Sequence, residues 1–520
     1  MSKLTDQVVA VDYGRNCMKR RCVARLALVA GLLAVVVLGS AMAPAAEPGG
    51  SRAGDRGDGG GYGPTPPPTP PPPGTPTQEA WAWTQLIPGG AQVRVATPAT
   101  TCPILVVTTG AQAVRHQMVL ESTVALYPTT ATVCTRRIAA TATAARIDAT
   151  TSPVPLRPNT NGTVPLPNWT QPGSPTSRPA NVALIGDTGC RIPAAGTPQA
   201  CTPQGWPFQR VATNAANEPA PPNLVVHLGD YIYRSRPGPT PSPFCGGPGT
   251  SPSMHTWGCL VADFFQPAAR LLAQAPFVFV RGNHETCGRS GEIWFRYLAP
   301  TPSLTACGAP NPEDFSRPVR IDAGTLGLLL MDTSCASDEA NPPSCALAQR
   351  AARYTAQFNE VNNSLVRDGD NFLLSHTPIW AVRGQTAAGN PVWIDEILSD
   401  AVAATSLGIL DRRIDLVLAG HIHLYQMLTF ETSAQFHRPP VVTVGASGTE
   451  LDPKTWQDSA LIGRLLDGVA IGELITVDRF GYGVLRDTGA TWNLRFFNQF
   501  GTRVPGTNCN LVGARFPNCL

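Results

Sequence analysis

The sequence predicts an α/β fold preceded by a small all-β domain, and three observations carry that reading. After Asn181 apolar runs of strand length recur: Val182–Ile185, Leu224–Leu228, Phe277–Val280, Leu326–Met331, Phe372–Leu374, Leu416–Ala419 and Val441–Val444. Short, nearly continuous runs of this kind suit strands buried on both faces. Helix-compatible segments, Asp263–Gln274 and Leu347–Leu365, lie between several of them, as an alternation of strands and helices requires. From about Gln78 to Arg178 the text differs. Gln92–Val95, Ile104–Thr108, Val119–Leu126 and Thr132–Ile138 are rich in Val, Thr and Ile, alternate with Pro, Gly and Thr turns, and show little helical period. That pattern reads as short strands in a small all-β domain. No repeat of fixed period is visible, which argues against a solenoid or propeller.

Taken in chain order, the first segment is an address. Lys19-Arg20-Arg21 and Arg25 precede an uncharged apolar run from Leu26 to Leu38, and small residues follow through Ala46. These are the three regions of a secretory signal, with Ala43-x-Ala45 as the cleavage site. The run is too short for the roughly 20 residues of a spanning helix, so no stable membrane span is expected after cleavage. Met18-Lys19-Arg20-Arg21 is itself an ordinary signal start, so residues 1–17 are expected to be unused. Residues 47–77 are rich in Gly, then in Pro and Thr, and favour an extended linker over a packed core. The expected organisation is therefore a signal over 1–46, a linker over 47–77, a small β domain over 78–178 and an α/β domain over 179–520.

Charge and cysteine content narrow the function. With 39 basic and 36 acidic residues in 520 the chain is nearly neutral. Residues 47–520 hold 33 basic and 34 acidic side chains, so a nucleic-acid binder relying on bulk positive charge is excluded. Twelve of the 14 cysteines fall beyond the signal as near neighbours: Cys102/Cys134, Cys190/Cys201, Cys245/Cys259, Cys287/Cys307, Cys335/Cys345 and Cys509/Cys519. In a secreted or periplasmic protein they read as up to six local disulfides. No Cys-x-x-Cys pair supports a zinc ribbon or a redox site.

The chemistry sits where the apolar runs end. Gly186-Asp187 follows the first run, Gly229-Asp230-Tyr231-Ile232-Tyr233 the second, and Gly282-Asn283-His284-Glu285 the third; His376 closes the fifth and Gly420-His421-Ile422-His423 the sixth. Ligands of α/β sheets bind at the carboxyl ends of strands. Carboxylate, phenol, amide and imidazole donors suit iron, zinc or manganese. The chain has no Gly-x-Ser-x-Gly and no Gly-Lys-Ser/Thr, so neither a serine hydrolase nor a P-loop competes.

In this order the motifs resemble the signature of the calcineurin-like metallophosphoesterases over about Val182–Ser447, and within them the purple acid phosphatases. Gly189 stands where most of that superfamily has a metal-binding His, and Tyr233 follows Asp230 by three residues. The resemblance implies a four-layer αββα metallophosphoesterase sandwich. It also implies Fe(3+) on Asp187, Tyr233 and His423, bridging by Asp230, and a second divalent metal (Fe, Zn or Mn) on Asn283, His376 and His421. His284 would face the substrate as the catalytic residue, with Glu285 orienting ligands. The small β domain also looks like that of larger family members. In two respects the chain departs from the pattern: the fourth motif is Leu373-Leu374-Ser375-His376, and no His follows His376 closely. Arg383 is then the cation expected to bind substrate phosphate, since a guanidinium can grip it bidentately.

The implied function is a secreted phosphomonoesterase acting on a phosphorylated small molecule by attack of a metal-generated hydroxide, with an acid optimum. The alternative on the same two metals is a phosphodiesterase or nucleotide-cleaving enzyme. A third reading, of another class, is a surface protein whose metals merely staple the domain.

Overall fold

The computed structural model describes residues 78–122, 130–170, 177–236, 245, 254–303, 305–308, 314–336, 345, 347–394, 396–431, 437–517 and 519–520. The expected signal and linker lie outside the described residues. The apolar runs form the strands Asn181–Ile185, Leu224–His227, Phe277–Phe279, Leu326–Leu330, Asp370–Leu374, Leu416–Ala419 and Val441–Val444. The first three lie parallel in one sheet and the last four parallel in a second.

Alternation along each strand then sorts side chains into layers. Val182, Leu184 and Val226 meet Leu328, Phe372, Leu418 and Val442 in the core between the sheets. The opposite faces, Ala183, Ile185, Val225 and Phe277, pack on Phe208 and Val211 of the helix Phe208–Ala216 and on Phe264. Leu329, Leu373 and Val417 pack on Tyr354 and Phe358 of the helix Leu347–Glu360 and on Leu398 of the helix Glu396–Ala403. The result is the four-layer sandwich, in which each fully buried Leu, Val or Phe contributes roughly 1.5–3 kcal/mol. The segment expected to be helical over Asp263–Gln274 is interrupted. A π turn at Val261–Phe265 gives way to the helix Ala269–Gln274, because Pro267 between them has no N–H to donate.

The N-terminal β-rich region continues the first sheet. Strand Ala80–Ile87 runs parallel to Phe277–Phe279, with Gln85 opposite Phe277. Gly90–Thr97, Thr132–Ile138 and Val119–Ser122 extend outward from it. Two buried polar side chains tie this region down. Arg94 donates to the carbonyls of Tyr297 and Ala299 at 2.8 Å each, and Gln85 Nε2 donates to Leu298 O at 3.2 Å. A guanidinium out of water needs such acceptors, and beside Gln92 Oε1 at 2.7 Å they come from the α/β part. Ile104–Thr109, Gln112–Gln117, Ala144–Ile147 and Thr163–Val164 make a separate four-stranded sheet.

All six near-neighbour cysteine pairs are bridged: Cys102–Cys134, Cys190–Cys201, Cys245–Cys259, Cys287–Cys307, Cys335–Cys345 and Cys509–Cys519. That density fits an oxidising compartment. No helix among the described residues is long and apolar enough to cross a membrane. The twelve bridged cysteines should take up no alkylating label in denaturant and all become labelled after reduction. Appreciable labelling before reduction, read by intact mass, would contradict the bridges.

Candidate metal centre

Each motif residue stands where a buried strand turns abruptly into a loop. Asp187, Asp230 and His421 have φ of 55°, 61° and 72°, in the left-handed region that costs a non-glycine residue about 1–3 kcal/mol. Three strained residues at three strand ends make the cleft between the sheets the functional candidate. Two glycines permit the close packing. At Gly282 a Cβ would overlap Asp230 Oδ1, and at Gly189 it would lie 2.7 Å from Tyr231 O and 3.0 Å from Tyr233 N. No side chain fits at position 189, a histidine included.

The first cluster gathers on the Tyr233 hydroxyl. It lies 2.7 Å from Asp187 Oδ1, 2.7 Å from Asp230 Oδ2 and 3.1 Å from His423 Nε2. One hydroxyl proton can satisfy one of these acceptors. The rest of this donor set is met by further protons or by a cation, and its hard-to-borderline character fits iron, zinc or manganese. Burial, then the Asp187 and Asp230 carboxylates, push the Tyr233 phenol well above its usual range. Burial likewise raises Asp187.

In the second cluster, Asn283 Oδ1 lies 2.9 Å from His376 Nε2 and 3.1 Å from His421 Nδ1. Asp230 Oδ2 stands 3.2 Å from His376 Nε2 and joins the two clusters. His376 Nδ1 donates to Leu228 O at 2.7 Å, which leaves Nε2 as a lone pair facing oxygens unless a proton or a cation intervenes. Asp230, His376 and His421 have ligand atoms within 4.8 Å of one another, a metal-holding geometry. The seven residues of the expected ligand set are thus brought together around two foci.

His284 stacks on Tyr233 with ring centroids 3.9 Å apart. Its Nδ1 lies 3.1 Å from Ile232 O and 2.6 Å from Arg289 Nη2, which also stands 3.0 Å from Nε2. Burial and then Arg289 hold its pKa well below the ordinary imidazole range. Glu285 takes the backbone N–H groups of Asp230 and Gly282 on one oxygen and of Tyr231 on the other, each at 3.0 Å. Arg281 beside it bridges Asp314 and Asp332 at 2.7 and 2.8 Å. His227, expected to be a packed strand residue, accepts from Gly229 N and donates to Thr188 Oγ1.

A cavity of about 790 Å³ opens on both clusters, lined among others by Asp230, Tyr233, His284, His421, His423 and Arg383. Arg383 is exposed and makes no hydrogen bond or ion pair among the described residues. The wall Glu450–Trp456 and Arg191 also line it. Sequence reasoning missed these and Arg289, because no motif marks them; the one signal was the position of Glu450–Trp456 soon after the strand Val441–Val444.

The metal-free protein should reveal this surplus of acceptors in its stability. Burial alone would lower His376, but Asp230 and Asp187 hold it up to about 10 against an ordinary 6.5. A raised pKa contributes stability that is fully present below 6.5 and lost as pH rises through about 10. Melting temperature of the metal-free protein should fall across that window, and a bound divalent cation should flatten the fall. A flat or rising metal-free profile in calorimetry would contradict the geometry.

Residues 180–425 match the family described as calcineurin-like phosphoesterase. No curated protein matches the chain. Among solved structures, the chain is similar to one described as the structure of PhoD, at 13% identity and a TM-score of 0.44, over 85% of this chain and 92% of that one. A conserved uncharacterized protein from Streptococcus pneumoniae, described as a predicted phosphoesterase, aligns at 8% identity and a TM-score of 0.22, over 64% of this chain and 97% of that one. With its strand-end carboxylates, amide and imidazoles gathered around two foci, the segment 180–425 is a calcineurin-like metallophosphoesterase domain, a metal-dependent phosphoester hydrolase of a family built around a dinuclear metal centre.

Proposed function

We propose that the chain is a secreted phosphomonoesterase of the purple acid phosphatase kind, active at mildly acidic pH, with its catalytic part over 179–520 and the region 78–178 buttressing it. Asp187, Tyr233 and His423 would hold ferric iron, Asn283, His376 and His421 a divalent iron, zinc or manganese, and Asp230 both. The observation that carries this reading is the Tyr233 hydroxyl, 2.7 Å from the Asp187 and Asp230 carboxylates, beside a Gly189 that has no room for the histidine it replaces. When bound, the two metals supply Lewis-acid polarisation of the phosphoryl group and lower the pKa of water.

The chain's own residues do the remaining work. Arg383, without a hydrogen-bond or ion-pair partner among the described residues, grips the phosphate and neutralises charge that develops on it. His284, stacked on Tyr233 at the cavity wall and braced by Arg289, would orient a hydroxyl or water beside the phosphorus. Glu285 and the Arg281 ion pairs keep the Asp230 and Asn283 loops in place, as partners behind metal ligands do. The six bridges support the secreted part of the reading.

Initial rates on nitrophenyl phosphate should exceed those on bis-nitrophenyl phosphate; the reverse order would favour the diesterase reading. Asp230→Ala and Asn283→Ala should each lower turnover about a thousandfold with the fold retained by circular dichroism, and near-normal activity would refute the ligand set.

Tyr233→Phe removes the phenol oxygen and little else. The iron-loaded protein should be violet from phenolate-to-iron charge transfer, and the variant should lose that band and bind ferric iron more weakly. A colourless parent with confirmed ferric iron at full occupancy would overturn the purple acid phosphatase assignment.

Arg383→Ala should raise KM, and the inhibition constant of inorganic phosphate, about tenfold. Unchanged values of both would make Arg383 a solvated loop residue.

A further inference from the structure

We propose that the substrate of this site carries a single phosphate on an organic group that is neutral or positively charged, and that the wall beside His423 enforces that choice; the inference rests on the phosphoesterase reading above. The cavity, at about 790 Å³, lies in the range that encloses most of an organic ligand and is far larger than phosphate alone requires. The group esterified to phosphate therefore sits inside it, and the charges on the wall act on that group.

Beyond the two clusters, the wall carries four charged side chains: Arg191, Arg383, Glu450 and Asp452. Arg383 lines the cavity with the motif residues and is exposed to it. Arg191 is already taken, its guanidinium 2.8 Å from Glu450. Asp452 accepts from His423 N at 2.9 Å with one oxygen, and its other oxygen lies 3.8 Å from His423 Nδ1. The His423 side thus presents two carboxylates against one cation. Its other contributors, among them Leu451 and Trp456, add apolar surface without charge, and the Trp456 indole N–H is committed to Asp458 at 3.1 Å.

Arg383, the one cation without a partner among the described residues of this wall, suffices for one phosphate. A second phosphate or a carboxylate on the organic group would find no second unpaired cation among the described residues that line the cavity and would face Asp452 and Glu450, which disfavours it by like-charge repulsion in a partly closed site. An ammonium on the same group would be drawn to those carboxylates. Polyphosphates and nucleoside triphosphates are the class this wall excludes.

The metal-loaded protein is assayed for kcat/KM on four esters: phosphoethanolamine, glycerol 1-phosphate, 3-phosphoglycerate and ATP. The first two should exceed the last two by about tenfold or more. Glu450→Gln releases Arg191 and should narrow that gap about threefold, whereas Arg191→Gln leaves Glu450 unpaired and should widen it. Equal use of 3-phosphoglycerate or ATP and glycerol 1-phosphate, or two variants that shift the ratio in the same direction, would overturn the inference. Binding of aminoethylphosphonate and phosphonoacetate by calorimetry reads the same preference without turnover. A charge preference among the phosphonates in a protein that hydrolyses no ester supports this inference and overturns the phosphoesterase reading. Hydrolysis with no charge preference in either assay does the opposite.

Discussion

One buried carboxylate holds the centre together. Glu285 takes three backbone N–H groups, two from the loop that carries Asp230 and one from the start of its own loop, which carries Asn283. Two chain reversals separated by more than fifty residues are thereby fixed against each other, and with them the oxygen that lies between the two clusters. Without that acceptor three buried amides would be left unsatisfied, at about 1–3 kcal/mol each, in a region that already bears strained backbone.

The strain and the electrostatics have one origin. Asp187, Asp230 and His421 adopt left-handed conformations because each must leave a buried strand and immediately point into the cleft. Crowding acceptors there leaves the metal-free site short of protons: the phenol of Tyr233 is pushed up, and His376 holds a proton to about 10. Burial of this kind is unfavourable until a cation arrives, so the sandwich cores supply the stability that the centre consumes.

How much of this was legible in the sequence depends on distance along the chain. The strands that carry the site were legible because three to five largely apolar residues ending, mostly by way of a glycine, in a polar residue form a local pattern. The ligand set was legible for the same reason, since every member abuts such a run. Arg191 and Glu450 were not, because their pairing joins residues 259 apart and neither has a motif. The union of the N-terminal β region with the first sheet was hidden likewise. It hangs on Arg94 and Gln85 reaching carbonyls of residues 297–299, more than 200 positions away. Strands such as Val469–Val477, half-exposed and alternating, lack the continuous apolar run that marks the buried ones.

The six disulfides close stretches of 10 to 32 residues, and no two of those stretches overlap. A chain that emerges from its N-terminus therefore presents each cysteine and its partner before the next pair appears. Correct pairing follows from order of emergence alone, with no need for an isomerase to sort distant thiols. Nor does any bridge span the two sheets, so an oxidant can complete every cross-link before the sandwich closes.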